Sequence, residues 1–226
     1  MSINIRPVIA LLFGIVLFIG LPFVGWGITD IRGFVGNPAR LGYIIITILT
    51  QIIVVIVIPD VGRNRGKGNK IIRRQHLALI LIQTLSIAIV MAAPYSDRRG
   101  IAVLSNTEIF RYIGLGLYAL GLFGVHWAEM ALGKQFSSEV VIQEGHQLVT
   151  NGPYRYLRHP RYLGIIIFYI GISLVFRSWP GMILLAALIS VLLWRIHDEE
   201  ALLHREFGAD WEAYSGKTWR LIPFLY

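Results

Sequence analysis

Residues 162–193 read YLGIIIFYIGISLVFRSWPGMILLAALISVLL. Two apolar runs flank Arg177-Ser178-Trp179-Pro180-Gly181, a turn signature whose proline suits the first turn of a following helix. The stretch predicts a helical hairpin. Each arm is about 15 residues, or about 22 Å at 1.5 Å per residue, so the arms either span a bilayer with their flanks included or re-enter without crossing. In both cases the chain beyond residue 193 returns to the side that residue 162 left.

Toward the N-terminus, apolar runs of about 20 residues, long enough to cross about 30 Å of hydrocarbon, occupy residues 7–28, 41–59, 76–93 and 110–132. The 226-residue chain is 55% hydrophobic and 15% charged, more apolar surface than a soluble core of this size hides. The expectation is all-α: a polytopic transmembrane helical bundle of four spans plus the C-terminal hairpin, about five to six membrane segments, ending in a cytoplasmic helical tail. Residues 1–226 are expected to form a single membrane domain. The run after Arg6 is long for a signal peptide and no small-residue cleavage site follows it, so it reads as a retained first span.

Orientation follows from the short loops, since Lys and Arg concentrate on the cytoplasmic face. Residues 60–75 hold Arg63, Arg65, Lys67, Lys70, Arg73 and Arg74 against Asp60 alone, which makes this loop cytoplasmic. The N-terminus, residues 133–161 and the tail from residue 195 then share its side. Residues 94–107, with Asp97 offsetting Arg98 and Arg99, form an external loop. The formal charge of +8 is thus a topology signal, and no nucleic-acid partner is expected, because the basic residues sit between apolar runs rather than along one aromatic-studded face.

Several chemistries are excluded. With no cysteine there is no disulfide, thiolate zinc site or cysteine nucleophile. Neither phosphate-binding glycine motif is present; Gly114, Gly116 and Gly121 lie inside a span, where close helix packing accounts for them. No His-Glu-x-x-His pair occurs, His126 beside Trp127 and Glu129 reads as interfacial, and no metal is expected. Spans one to three hold almost no ionisable residues between their ends, leaving little for an ion path.

Two constellations carry the candidate chemistry. Residues 145–164 are dense in His, Arg and Tyr. They read either as a turn at Asn151-Gly152-Pro153 with arginine flanks and Pro160 opening a helix, or as a helix N-terminus suited to an anionic group, with His159 and Tyr162 offering hydrogen bonds and ring faces. Residues 194–208 continue the hairpin into the cytosol, with Arg195 and Glu199 one helical turn apart. They read either as a solvated helix end with an ion pair or as the mouth of a cavity where an arginine holds an anion.

Together the two motifs, Leu-Val-Thr-x-Gly-Pro-Tyr-x-Tyr-x-Arg-His-Pro-x-Tyr-x-Gly from Leu148 and Glu-Glu-x-x-Leu-x-x-x-Phe-Gly-x-x-Trp-x-x-Tyr from Glu199, resemble the isoprenylcysteine carboxyl methyltransferase family, to which phospholipid methyltransferases are related. The resemblance covers residues 132–224, closing with Arg220-Leu221-Ile222-Pro223-Phe224; residues 1–131 match only as variable apolar spans. It implies an integral membrane enzyme using S-adenosyl-L-methionine in a cytoplasm-facing pocket, with a lipidic or small-molecule acceptor arriving from the membrane lipids. By position, His146, Gln147, Leu148, Val149, Tyr154, His159, Pro160, Arg161, Tyr162 and Glu199 match cofactor contacts. Gln143 stands in for an upstream glutamine, and Arg195 matches the arginine facing the substrate. Arg195 and Glu199 are the catalytic candidates.

Methyl transfer from a sulfonium is an in-line displacement, so alignment and water exclusion dominate. A carboxylate acceptor needs only a cation such as Arg195, whereas an amine must lose a proton, to Glu199 or Glu200. Alternatives are a phospholipid or amine N-methyltransferase, an NADPH-dependent sterol or enone reductase, and a membrane scaffold or heme-linked accessory protein without turnover.

Overall fold

The computed structural model describes residues 6–57, 70–71, 74–104, 107–133, 141–142 and 148–224. Helix α1 (Arg6–Ile15) runs through a π-helical turn (Val16–Gly20) into α2 (Leu21–Trp26); α3 (Ile31–Val35) and α4 (Pro38–Val57) follow. Then come α5 (Arg74–Arg99), α6 (Ile109–Leu132), a 3-10 turn (Gly152–Arg155), α7 (Pro160–Val175), α8 (Trp179–Phe207) and α9 (Ala209–Ser215). A short antiparallel pairing joins β1 (Lys70–Ile71) to β2 (Val141–Ile142). The protein is a polytopic helical membrane bundle. Among the described residues, four helices, α4, α5, α6 and α8, are long and apolar enough to cross a membrane, and residues 11–26 and α7 are shorter apolar helices.

The first expected span is a helix with a π-helical turn in its middle. Pro22 has no N–H, so the Phe18 carbonyl four residues back loses its α-helical donor, and the helix relaxes there into the π turn. Tyr43 on α4 donates its hydroxyl to that carbonyl at 2.6 Å. The hairpin also differs from two equal arms: α7 is 16 residues, about 24 Å, while α8 runs 29 residues, about 43 Å, without interruption. The turn is as expected, with Ser178 capping α8 by accepting from the Gly181 N–H at 3.0 Å.

Helices α6 and α7 pack antiparallel through glycines. A Cβ on Gly114 would stand 2.8 Å from the Gly171 carbonyl oxygen, and one on Gly164 would stand 2.8 Å from the Val125 nitrogen. Gly121 faces the Phe168 backbone and Gly171 the Tyr118 backbone in the same way. Among lipids, helices gain little from apolar burial against each other, so backbone proximity made possible by small residues supplies the packing. Gly114 and Gly121 are helix-packing residues as expected; Gly116 is not, since among the described residues a Cβ there would meet nothing within 4 Å.

The end of the bundle holding the α7–α8 turn is built on Asp97, whose side chain is 1% exposed. Helix α5 continues through Pro94 to Arg99, where an external loop was expected. Arg111 donates to Asp97 bidentately (Nη1 to Oδ2 2.7 Å, Nη2 to Oδ1 2.8 Å), Arg40 donates at 2.9 Å and Arg177 at 3.0 Å. The charge of Asp97 is therefore met by α4, α6 and the hairpin turn rather than by Arg98, which pairs with Asp30, or Arg99, which lies over the Tyr95 ring.

Two outcomes follow. Asp97→Asn, which leaves buried guanidinium groups without their carboxylate, is expected to cost about 3–5 kcal/mol in unfolding experiments in detergent; an unmoved midpoint would show that the cluster does not brace the fold. Gly171→Ala is expected to force α6 and α7 apart and lower the thermal midpoint, whereas Gly116→Ala is expected to leave it in place.

Candidate active site

At the opposite end, the chain after α6 turns back at Gly152, whose φ of +55° and closeness to Ala131 and Trp127 of α6 suit a residue without a side chain. Pro160 is the first residue of α7, and His159 before it is held out of helical conformation, as residues preceding proline usually are. The C-terminal segment runs alongside. The N–H groups of Arg158 and His159 donate to the Trp219 and Arg220 carbonyls at 2.8 and 3.1 Å, and the Trp219 N–H donates to Tyr156 O at 3.1 Å.

Helix α8 crosses over this turn. Arg195, 4% exposed, donates its Nε–H to the Tyr162 hydroxyl at 2.7 Å, and that hydroxyl donates to Glu199 Oε2 at 2.7 Å. The sequence places Arg195 and Glu199 on one face; the structure inserts Tyr162 of the other motif between them. The His159 and Tyr162 rings stack with centroids 5.6 Å apart. Glu200, on the neighbouring face, meets His159 Nε2 at 3.3 Å, Arg158 Nε at 3.0 Å and Arg220 Nη2 at 2.5 Å. The Arg158 contact is an ion pair without hydrogen-bond alignment; its Nη1 donates to Ser215 O at 2.8 Å. Arg161 donates to Glu129 Oε1 of α6 at 3.0 Å, and His126 Nδ1 lies 3.1 Å from Glu129 Oε2. Gln75 at the start of α5 donates to Asp198 at 3.0 Å.

Among the expected site residues, Tyr154, His159, Arg161, Tyr162, Arg195 and Glu199 come together here. Burial pushes the Tyr154 phenol well above its usual value, with the Glu199 charge adding to the effect. Burial likewise pushes Tyr214 up to about 12, so at neutral pH it remains the donor to the Tyr154 carbonyl at 2.8 Å. Pro160 is buried at the head of α7; Leu148 and Val149 are half-buried in the preceding loop. Gln143, His146 and Gln147 lie outside the described residues. Sequence reasoning did not assign Glu129, and it considered Glu200 only as a base. Glu129, an acidic residue inside an apolar helix, carried a usable signal, because ionisable groups at membrane depth are rarely idle.

Residues 109–210, a little under half of the chain, match the family model described as phospholipid methyltransferase. The resemblance read from the two motifs is a real one. The chain is 33% identical over 125 residues to a protein-S-isoprenylcysteine O-methyltransferase of Schizosaccharomyces pombe, covering 52% of this chain and 51% of that protein. It is 30% identical over 121 residues to a probable protein-S-isoprenylcysteine O-methyltransferase of Oryza sativa subsp. indica, covering 50% and 61%. It is also 30% identical over 119 residues to protein-S-isoprenylcysteine O-methyltransferase B of Arabidopsis thaliana, covering 50% and 58%. The chain thus spans about half to three fifths of the length of these curated relatives.

A combination of carboxylates, guanidinium groups and stacked rings can hold a small molecule that carries both charges and an aromatic base. Tyr162→Phe removes the hydroxyl shared by Arg195 and Glu199 and is expected to lower stability by about 1–3 kcal/mol, the cost of leaving buried polar groups without a partner; thermal unfolding in detergent reads this directly.

Proposed function

We propose that this chain is an integral membrane methyltransferase that uses S-adenosyl-L-methionine to O-methylate a carboxylate on a lipidic, isoprenylcysteine-like acceptor. Its site and both termini would face the cytoplasm, on the side of the basic residues 60–75. The observation that carries the reading is the Arg195–Tyr162–Glu199 hydrogen-bond chain, which joins two motifs far apart in sequence. The similarity to isoprenylcysteine methyltransferases supports it.

The residues present fit such a donor. Glu199 offers a carboxylate to an ammonium or sulfonium charge, Arg161 a cation to a carboxylate, and the His159–Tyr162 stack and Tyr154 offer ring faces. When bound, S-adenosyl-L-methionine supplies the methyl group on a sulfonium centre. Arg195 lies between the fully buried Leu192 and Ile196 along α8, in surroundings where a guanidinium attracts a carboxylate more strongly than in water. Tyr162 holds the Arg195 head group in place through Nε. A carboxylate acceptor carries no proton that must leave, so the site needs no general base, and Glu200 is already engaged by two guanidinium groups and the His159 ring.

The family model's description favours a second reading, an amine acceptor on a phospholipid, in which Glu199 would take the proton.

Calorimetry on detergent-purified protein is expected to show S-adenosylhomocysteine binding that His159→Ala weakens at least about tenfold. NADPH binding in its place would overturn the proposal. With radiolabelled donor, a farnesylcysteine acceptor is expected to gain a base-labile methyl ester, and Arg195→Lys is expected to lower kcat/KM about 100-fold. A base-stable methyl on phosphatidylethanolamine vesicles would establish the amine reading.

A further inference from the structure

We infer that Glu200 is a positioning residue: it clamps the C-terminal segment against the His159 turn and so fixes the orientation of the His159 ring at the proposed cofactor site. The inference rests on the methyltransferase reading. Glu199 and Glu200 are adjacent in sequence, yet they divide the work. Glu199 accepts from Tyr162, while Glu200, 8% exposed, gathers groups from two other stretches of chain: Arg158 and His159 before α7, and Arg220 near the C-terminus.

The chemistry of the pair defines what His159 presents. A carboxylate only accepts, so the ring nitrogen facing it carries the hydrogen; in the neutral ring, Nε2–H points to Glu200 and Nδ1 keeps its lone pair for the opposite side. The assignment follows from the hydrogen-bond network. A ligand group met by Nδ1 would therefore be a donor, such as an amine or hydroxyl. The same carboxylate holds Arg220, whose own carbonyl accepts the His159 N–H at 3.1 Å, so ring and backbone of His159 are tied to one segment by two routes. A purely structural ion cluster would tie the segments together equally well, but it would not act selectively on cofactor affinity.

Glu200→Gln, Arg220→Gln and Arg220→Lys in the full chain separate the two cases. For the Gln variants, donor KM and the Kd for S-adenosylhomocysteine are expected to rise about 10-fold or more, with kcat at saturating donor changed less than about 3-fold. Arg220→Lys, which restores a charge toward Glu200, is expected to recover most of the affinity. Unchanged Kd and KM in both Gln variants would overturn the inference and leave the methyltransferase reading intact. A fall in kcat alone would also overturn it, by placing Glu200 in the reacting step. Should Glu200→Gln fail to fold, the Arg220 pair decides: rescue by Lys supports the clamp, and Lys as weak as Gln refutes it. Wild-type protein that binds no S-adenosylhomocysteine would instead sink the underlying reading.

Discussion

At Gly114, Gly121, Gly164 and Gly171 the backbones of α6 and α7 meet without intervening side chains. This approach fixes the register of two antiparallel helices, and the register brings the last turns of α6 beside the first turn of α7. The Glu129–Arg161 pair and the seating of Gly152 on Ala131 and Trp127 both depend on it. The close approach also leaves little freedom for sliding, because each glycine is opposed by main-chain atoms, which cannot rotate out of the way.

The two ends of the bundle use one device. In each, a single buried carboxylate collects donor groups from separate stretches of chain: Asp97 holds Arg40, Arg111 and Arg177, and Glu200 holds Arg158, His159 and Arg220. Such a cluster is an expensive arrangement to desolvate, and its usefulness lies in specifying which segments meet. At the Asp97 end it braces α4, α5, α6 and the hairpin turn against one another. At the other end it brings the C-terminal segment back over the candidate site.

The helical membrane class, the hairpin turn and the two motifs were legible in the sequence, because each depends on local signals: apolar length, Pro and Ser at a helix start, and motif spacing. What was not legible is non-local. Nothing near Asp97 in sequence indicates that its partners are Arg40, Arg111 and Arg177 rather than Arg98 and Arg99 beside it. Tyr162 and Arg195 were each singled out, but their hydrogen bond spans 33 residues and depends on how α8 crosses α7. The π turn in the first span was written in Pro22, and the satisfaction of the Phe18 carbonyl by Tyr43 became visible only once the first span and α4 were packed together.

The uneven arms of the hairpin make α8 a ruler. Trp179, half-exposed at one end of the helix, and Arg195 are 16 residues apart on an unbroken rod, which sets them about 24 Å from each other along the helix axis. The depth at which the guanidinium sits is thus counted in residues from the far side of the bundle. One extra residue between them would raise it by about 1.5 Å and swing it by about 100° away from Tyr162.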